Sequence, residues 1–345
     1  MIKLCRVFVI VLVTLVMHTN GFAQSSRADR LDSLMKAKHQ AGEFNGTVLV
    51  ALNGKVKYRK ALGVADSGRQ LKPDTPFYLG SLAKQFTGVA ILMLERDKKL
   101  SIDDKVVDHL PELPEFMKEV TIRNLLNHTS GLPDYYAMGK YVDSMSNDMV
   151  MEVILDLKGL EFPAGQKYSY SNTGYVLLSI LIERVTQKSF RQFIKWKIFD
   201  PIGIEDSEVV DGTQPKMTRR ARGHTKSGAL NDYNARTTGA GGIYSQLDDL
   251  FLWDQALYGK NLINSELLNQ AYTPAVLSNG EPSYYGFGWV LEANNPQIVQ
   301  HSGSLSGFRT YFYRDMEHKN TIILLSNFSN DVTSINEAIL SLISE

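Results

Sequence analysis

"YLGSLAKQFTGVAILMLE", residues 78–95, sets a serine and a lysine three positions apart at the mouth of an apolar segment. Apolar side chains recur at Leu82, Phe86, Val89, Ala90, Met93 and Leu94, the spacing of one helical face. Ile91 and Leu92 carry the apolar surface further round, which predicts a buried helix. Positions i and i+3 share a helix face, so Lys84 can reach the Ser81 hydroxyl. A serine is a poor nucleophile until a base takes its proton, and lysine is that base only where burial or nearby positive charge depresses its pKa. Ser81 follows Gly80 at the helix start. Unpaired N–H groups and the positive end of the macrodipole there stabilise an oxyanion and help depress the lysine. Two polar residues capping a core helix are the other reading of the same letters.

The S-x-x-K spacing alone carries little. It occurs twice, about as often as chance allows with 27 serines and 22 lysines in 345 residues. The other pair, Ser33 and Lys36, lies in "RADRLDSLMKAKHQ" (27–40), a charged helical stretch that leaves Lys36 solvated and protonated. Two more elements favour Ser81. "YSYSNTGYVLL" (168–178) holds Tyr170-Ser171-Asn172 just before a second apolar helix. A tyrosine beside a lysine can relay a proton, and an asparagine amide can orient both lysine and substrate. A helix N-cap at Asn172, with Tyr170 packed nearby, is compatible with that role. "QHSGSLSGF" (300–308) holds His301-Ser302-Gly303 at the end of a β-rich run. Glycine there lets an extended substrate lie along the strand, and the amide of Ser304 can point into a cleft as an oxyanion donor. Lys226-Ser227-Gly228 has the commoner K-[ST]-G lettering but sits in the polar loop "HTKSGALNDYN". His128, in "NHTSGL", reads as a structural group at a helix end, and Tyr135 and Tyr136 as packed aromatics near a cleft edge. Neither G-x-S-x-G nor H-E-x-x-H is present, so the α/β-hydrolase and zinc-peptidase readings lack their signatures.

Around these elements the chain alternates in class. "GTVLVALNGKVKYRKALG" is two β-rich runs about Asn53-Gly54, a type I′ hairpin. The middle is mostly helical, with "TGYVLLSILIERV" and "SFRQFIKWKIFD" its clearest helices, the second stopped by Pro201. "SQLDDLFLWDQAL" is a further helix with Ser245 as N-cap. "PQIVQHSG", "FRTYFYRD" and "NTIILLSNF" are strands, and "DVTSINEAILSLIS" a closing helix. The expectation is an α+β fold: an antiparallel β-sheet built from N- and C-terminal strands flanked by helices, with a mostly helical inserted lobe. The sheet lobe covers about 24–80 and 240–345, the helical lobe about 81–239, with a ligand cleft between them.

Residues 1–23 read as a signal peptide. Lys3 and Arg6 precede an apolar run, Val7–Met17, too short for a bilayer core of roughly 30 Å, and Gly21 and Ala23 stand at the −3 and −1 positions of a cleavage site. An uncleaved anchor is the alternative. Cleavage after Ala23 predicts an extracytoplasmic protein, periplasmic or secreted, without a stable membrane anchor. It also removes Cys5, the sole cysteine, and with it any disulfide, thiol nucleophile or thiolate metal site. What remains carries 35 basic against 37 acidic side chains, which gives no electrostatic footprint for nucleic acid.

The three elements, in this order, resemble those of the serine β-lactamase and penicillin-binding-protein superfamily, whose class A members carry S-x-x-K, S-D-N and K-T-G. Y-S-N and H-S-G in the second and third places are similar to the class C β-lactamase-related branch, with its D-alanyl-D-alanine carboxypeptidase and esterase relatives. "FNGTVLVALNGKV", "NLLNHTSGLPDYY", "FPAGQKYSYSNTGY" and "GAGGIYSQLDDL" extend the resemblance over nearly all of residues 24–345. It implies Ser81 as the acylated nucleophile, Lys84 as base or base partner, and Tyr170 as proton relay. Either Lys84 or Tyr170 is the kinetic base. Asn172 orients lysine and substrate. His301 replaces the usual lysine and, titrating near neutrality, is a weaker anion anchor. Ser302 holds a substrate carboxylate, and the amides of Ser81 and Ser304 form the oxyanion hole. The resemblance implies no cofactor and no metal, and a small-molecule or peptide substrate. It points to a carboxypeptidase-like or esterase-like serine hydrolase; a weak class C-type β-lactamase and a non-catalytic peptide- or muropeptide-binding protein are the alternatives.

Overall fold

Asn53 and Gly54 take φ angles of +53° and +70°, the positive values their pairing predicts, and reverse the chain between β1 (Gly46–Leu52) and β2 (Lys55–Leu62). This computed structural model describes residues 26–214, 217–234, 236–259 and 262–344. The signal peptide assigned to residues 1–23, with Cys5, lies outside them. Four C-terminal strands join the hairpin: β3 (Val290–Leu291), β4 (Ile298–Leu305), β5 (Phe308–Asp315) and β6 (Asn320–Ser326). The order is β3-β4-β5-β6-β1-β2, antiparallel throughout. The two ends of the chain meet at β1 and β6, where Gly46 faces Ser326 and Ala51 faces Thr321.

Alternation along the strands divides the sheet into two apolar faces. Val48, Val50, Ile322 and Leu324 meet Leu31 and Met35 of α1 (Arg27–Gln40) and Ile335 and Ile339 of the C-terminal helix. Leu49, Ala51, Ile323 and Leu325 join the larger core with α2 (Ala83–Arg96), α3 (Asn172–Thr186) and α4 (Leu247–Ala256). Covered on both faces, β1 is buried at every residue, which is why it reads as a continuous apolar run. The α2 helix is buried from Ala83 to Leu94, as its all-round apolar surface predicts. An ion pair fastens α4 to the sheet: Arg314 Nε donates to Asp254 Oδ1 at 2.6 Å, both side chains essentially inaccessible. No helix among the described residues is long and apolar enough to cross a membrane.

Two local expectations are corrected. Pro201 does not stop its helix. Phe190–Ile194 is α-helical, Lys195–Phe199 widens into a π-helical turn, Asp200–Ile202 adds a last turn, and Gly203 ends it at φ +74°. The wider turn offsets the i−4 carbonyl with which a proline ring would collide. Ser245 is not a cap but the last residue of the short strand Ile243–Ser245; Gln246 is the cap, its side-chain oxygen accepting the Asp248 N–H at 2.8 Å.

Candidate active site

Ser81 lies in a single 3-10 turn, Gly80–Leu82, that leads directly into α2. Lys84, one turn on, is completely buried. Its Nζ lies 3.1 Å from Ser81 Oγ, 2.8 Å from Asn172 Oδ1 and 2.9 Å from the carbonyl oxygen of Ala240. Burial pulls its pKa from 10.5 down to about 7, against the opposing pull of Asp134. The neighbours accommodate both the ammonium and the neutral amine. Protonated, Nζ donates to all three; neutral, its two N–H groups still match the two obligate acceptors, Asn172 Oδ1 and the Ala240 carbonyl, and its lone pair can accept the Ser81 O–H. By contrast Lys36, in the second S-x-x-K, is exposed, pairs with Asp32 and has its pKa raised by that hydrogen bond. The Lys226-Ser227-Gly228 triplet lies on an exposed turn away from the cleft.

The Tyr170-Ser171-Asn172 segment is clamped from behind by the 128–134 stretch. The His128 carbonyl accepts the Ser169 N–H at 2.9 Å, and its Nδ1 accepts the Ser171 N–H at 3.1 Å. Its ring lies 4.2 Å, centroid to centroid, from that of Tyr170. His128 is fully buried and far more easily kept neutral than an exposed histidine, so packing and hydrogen bonding are its observed roles. Asn172 is the first residue of α3, with Ser171 before it as N-cap position. Its backbone N–H and its Nδ2 both donate to Asp134, at 3.2 and 3.3 Å, which turns Oδ1 toward Lys84. Tyr170 lines the same cleft as Ser81, and burial pushes its hydroxyl pKa well above the ordinary tyrosine value. Lys84 Nζ lies 4.9 Å from the Tyr170 ring centroid.

The third element is on β4. A two-residue turn, Ser306-Gly307, closes the β4–β5 hairpin on the Leu305/Phe308 pair. Alternation from that pair puts Ser302 and Ser304 at positions whose N–H and C=O groups point away from β5. The strand on that side, β3, reaches only Val299 and Gln300, so the Ser304 N–H faces the open cleft. Gly80, at φ +57°, lets the serine turn approach closely: a Cβ there would stand 2.9 Å from the Ser304 nitrogen. Gly303 has a different purpose from the one expected. It faces the interior rather than the substrate, and a Cβ on it would stand 2.0 Å from the Leu79 carbonyl oxygen and 2.3 Å from Thr310 Oγ1. It permits the serine turn to dock on β4.

His301 is also corrected. It is buried, its Nδ1 lies 2.6 Å from the Ser302 carbonyl and its Nε2 2.8 Å from the Tyr285 hydroxyl. A carbonyl only accepts, so Nδ1 carries the proton. Burial, with Lys84 nearby, takes its pKa to about 3, so it does not titrate near neutrality. Ser81, Tyr170, Asn172, His301, Ser302 and Ser304 all line one cleft of 410 Å³, and Tyr135 and Tyr136 line it too. Asp134, Tyr285 and the Ala240 carbonyl are the participants that the sequence reading missed. Asp134 stands in "LPDYY" beside two tyrosines, with no spacing of its own that ties it to Asn172; nothing local marks Tyr285 as a partner of His301.

The Beta-lactamase family model matches residues 31–342. Penicillin-binding protein 4* of Bacillus subtilis (strain 168) is 36% identical over 346 residues, covering 92% of this chain and 75% of that protein. Among solved structures, the octameric penicillin-binding protein homologue from Pyrococcus abyssi is similar with a TM-score of 0.78 and 27% identity, over 88% of this chain and 74% of that one. A class C beta-lactamase superposes with a TM-score of 0.79 at 23% identity, over 95% and 98% of the two chains, a likeness of fold.

Proposed function

Because this chain belongs to the Beta-lactamase family of serine hydrolases, we propose that it cleaves amides or esters through an acyl-enzyme on Ser81, in a D-Ala-D-Ala carboxypeptidase-like or esterase-like reaction. One observation carries the reading: Lys84 is buried with two carbonyl acceptors and one hydroxyl around its Nζ. Neutral Lys84 takes the Ser81 proton as Oγ attacks the substrate carbonyl. Of the two candidate bases, lysine is favoured, because the Tyr170 hydroxyl holds its proton well above the ordinary range. The oxyanion receives the N–H groups of Ser81 and Ser304. Tyr170 passes the Lys84 proton to the leaving nitrogen or oxygen as the C–N or C–O bond breaks. Lys84, neutral again, then takes a proton from the water that attacks the acyl carbon, and Ser81 leaves with that proton. Asn172 and Asp134 hold Lys84 in place, and Ser302 offers its hydroxyl to the substrate.

The test is intact-mass labelling with a fluorophosphonate and with benzylpenicillin, beside Ser81→Ala. An adduct on the wild type that is missing in the variant supports Ser81 as nucleophile, and penicillin uptake adds a peptidase- or lactamase-like cleft. A folded protein without either adduct makes the non-catalytic binding protein the better reading. Export by the 1–23 leader belongs to the same proposal. A mature protein whose N-terminal sequence starts at Gln24 supports it, and one that starts at Met1 overturns it.

A further inference from the structure

Resting on the acyl-enzyme reading of Ser81, and taking its esterase-like arm over the carboxypeptidase-like one, whose D-alanine leaving group bears a carboxylate, we infer that the cleft is built for esters and amides with an uncharged leaving group, and that it discriminates against those carrying a carboxylate there. Among the described residues that line the cleft, none is a lysine or an arginine. His301, the one basic side chain in the lining, has both ring nitrogens engaged within the protein: Nδ1 on the Ser302 carbonyl and Nε2 on the Tyr285 hydroxyl. It is 4% exposed, and protonating it would place a second charge beside Lys84 without a carboxylate partner. Arg309, on the neighbouring β5, turns its Nη1 to the carbonyls of Ser306 and Phe308, at 3.1 and 2.6 Å. A carboxylate lying along β4 would therefore meet serine hydroxyls and no lysine or arginine of the cleft lining, and would lose its hydration without a charged partner there.

The cleft's other charges point the same way. Asp134 stands directly behind Asn172, and Lys84 balances it only while protonated. In the neutral-lysine form that attacks, the site carries a net negative charge, which opposes a second anion. The walls are aromatic: Tyr78, Tyr135, Tyr136, Tyr168, Tyr170 and Tyr285 line the cleft, and Tyr168 is partly exposed at its mouth. Such walls stack on an aryl or apolar group and accept hydrogen bonds from a neutral amide or an amine.

Two matched esters test this: 3-(phenylacetylglycyloxy)benzoate and its benzamide counterpart, which differ only in the charge of the leaving group. At pH 8 the benzamide ester is expected to show a kcat/KM at least tenfold higher. His301→Lys is expected to shrink that ratio at least threefold, with its fold checked by thermal melting. Both esters are also run as competitors of fluorophosphonate labelling, where the benzamide ester is expected to protect Ser81 at tenfold lower concentration. Equal or better turnover of the benzoate, or equal or better protection by it, overturns the inference. Failure of the fluorophosphonate to label Ser81 is a different result, which overturns the acyl-enzyme itself. If His301→Lys does not fold, the wild-type ratio still decides.

Discussion

Replacing Lys84 with methionine should abolish acylation and, at neutral pH, make the protein more stable. Lys84 is buried without a paired carboxylate, and its pKa falls from 10.5 to about 7. Below pH 7 folding carries a cost of roughly 5 kcal/mol for that group, since each tenfold weakening of proton binding is worth about 1.4 kcal/mol. Methionine fills a similar volume without the charge. Against this stand the three hydrogen bonds of Nζ, about 1 kcal/mol each. The net expectation is a variant more stable by about 2 kcal/mol at pH 6. The sign of the pH dependence is fixed. Between pH 7 and 10.5 the unfolded chain binds the Lys84 proton and the folded chain does not, so wild-type stability rises with pH in that window and is flat, for this group, below it. By pH 9 the wild type gains about 2.7 kcal/mol on the variant and the advantage is gone or reversed. Urea unfolding of both proteins at pH 6, 7, 8 and 9 measures the difference, and the pairing cancels the titration of every other group. A difference that changes by less than about 1 kcal/mol between pH 7 and 9 would refute the reasoning, because Lys84 would then keep its proton in the folded protein.

Three further outcomes follow from the geometry. The rate of fluorophosphonate labelling of Ser81 should rise as pH passes through about 7 and level off above it, following neutral Lys84; a limb centred above pH 9 would refute a Lys84 that is neutral near pH 7. Gly303→Ala should cost about 1–3 kcal/mol in thermal or urea unfolding and slow labelling at least tenfold, since its Cβ would collide with the Leu79 carbonyl. Asp134→Ala should leave the fold intact, lower kcat/KM roughly ten- to hundredfold and move the pH limb to lower values, because the Asp134 charge favours protonated Lys84; an unmoved limb would reduce Asp134 to a structural residue.

The parts legible in sequence were those decided locally. Asn53-Gly54 fixes its turn by its own φ preferences, and the apolar surface of α2 follows from helical periodicity. Ser81, Lys84, Tyr170 and Asn172 stand out as candidates because spacing and neighbours limit what each can do. What stayed hidden depends on residues far away in the chain. His301 looks like a group poised to titrate until Tyr285 and its burial are known. Gly303 looks like room for a substrate until the Leu79 carbonyl is seen to fill that room. Asp134 matters only through its grip on Asn172. Pro201 is a stop signal by local rules, overridden by a π-helical turn that no pattern of residue types announces.

The sheet that joins β1 to β6 has a consequence for the order of synthesis. Ser81 and Lys84 leave the ribosome early, but β4, which carries Ser304, and β6, which completes the pairing of β1, come last. Contacts between such distant segments form slowly, because a long loop must close before they are rewarded. A nascent or truncated chain that stops before residue 300 therefore has Ser81 and Lys84 but neither the closed sheet nor the Ser304 amide. On the mechanism proposed above, reactivity arrives only with the final strands.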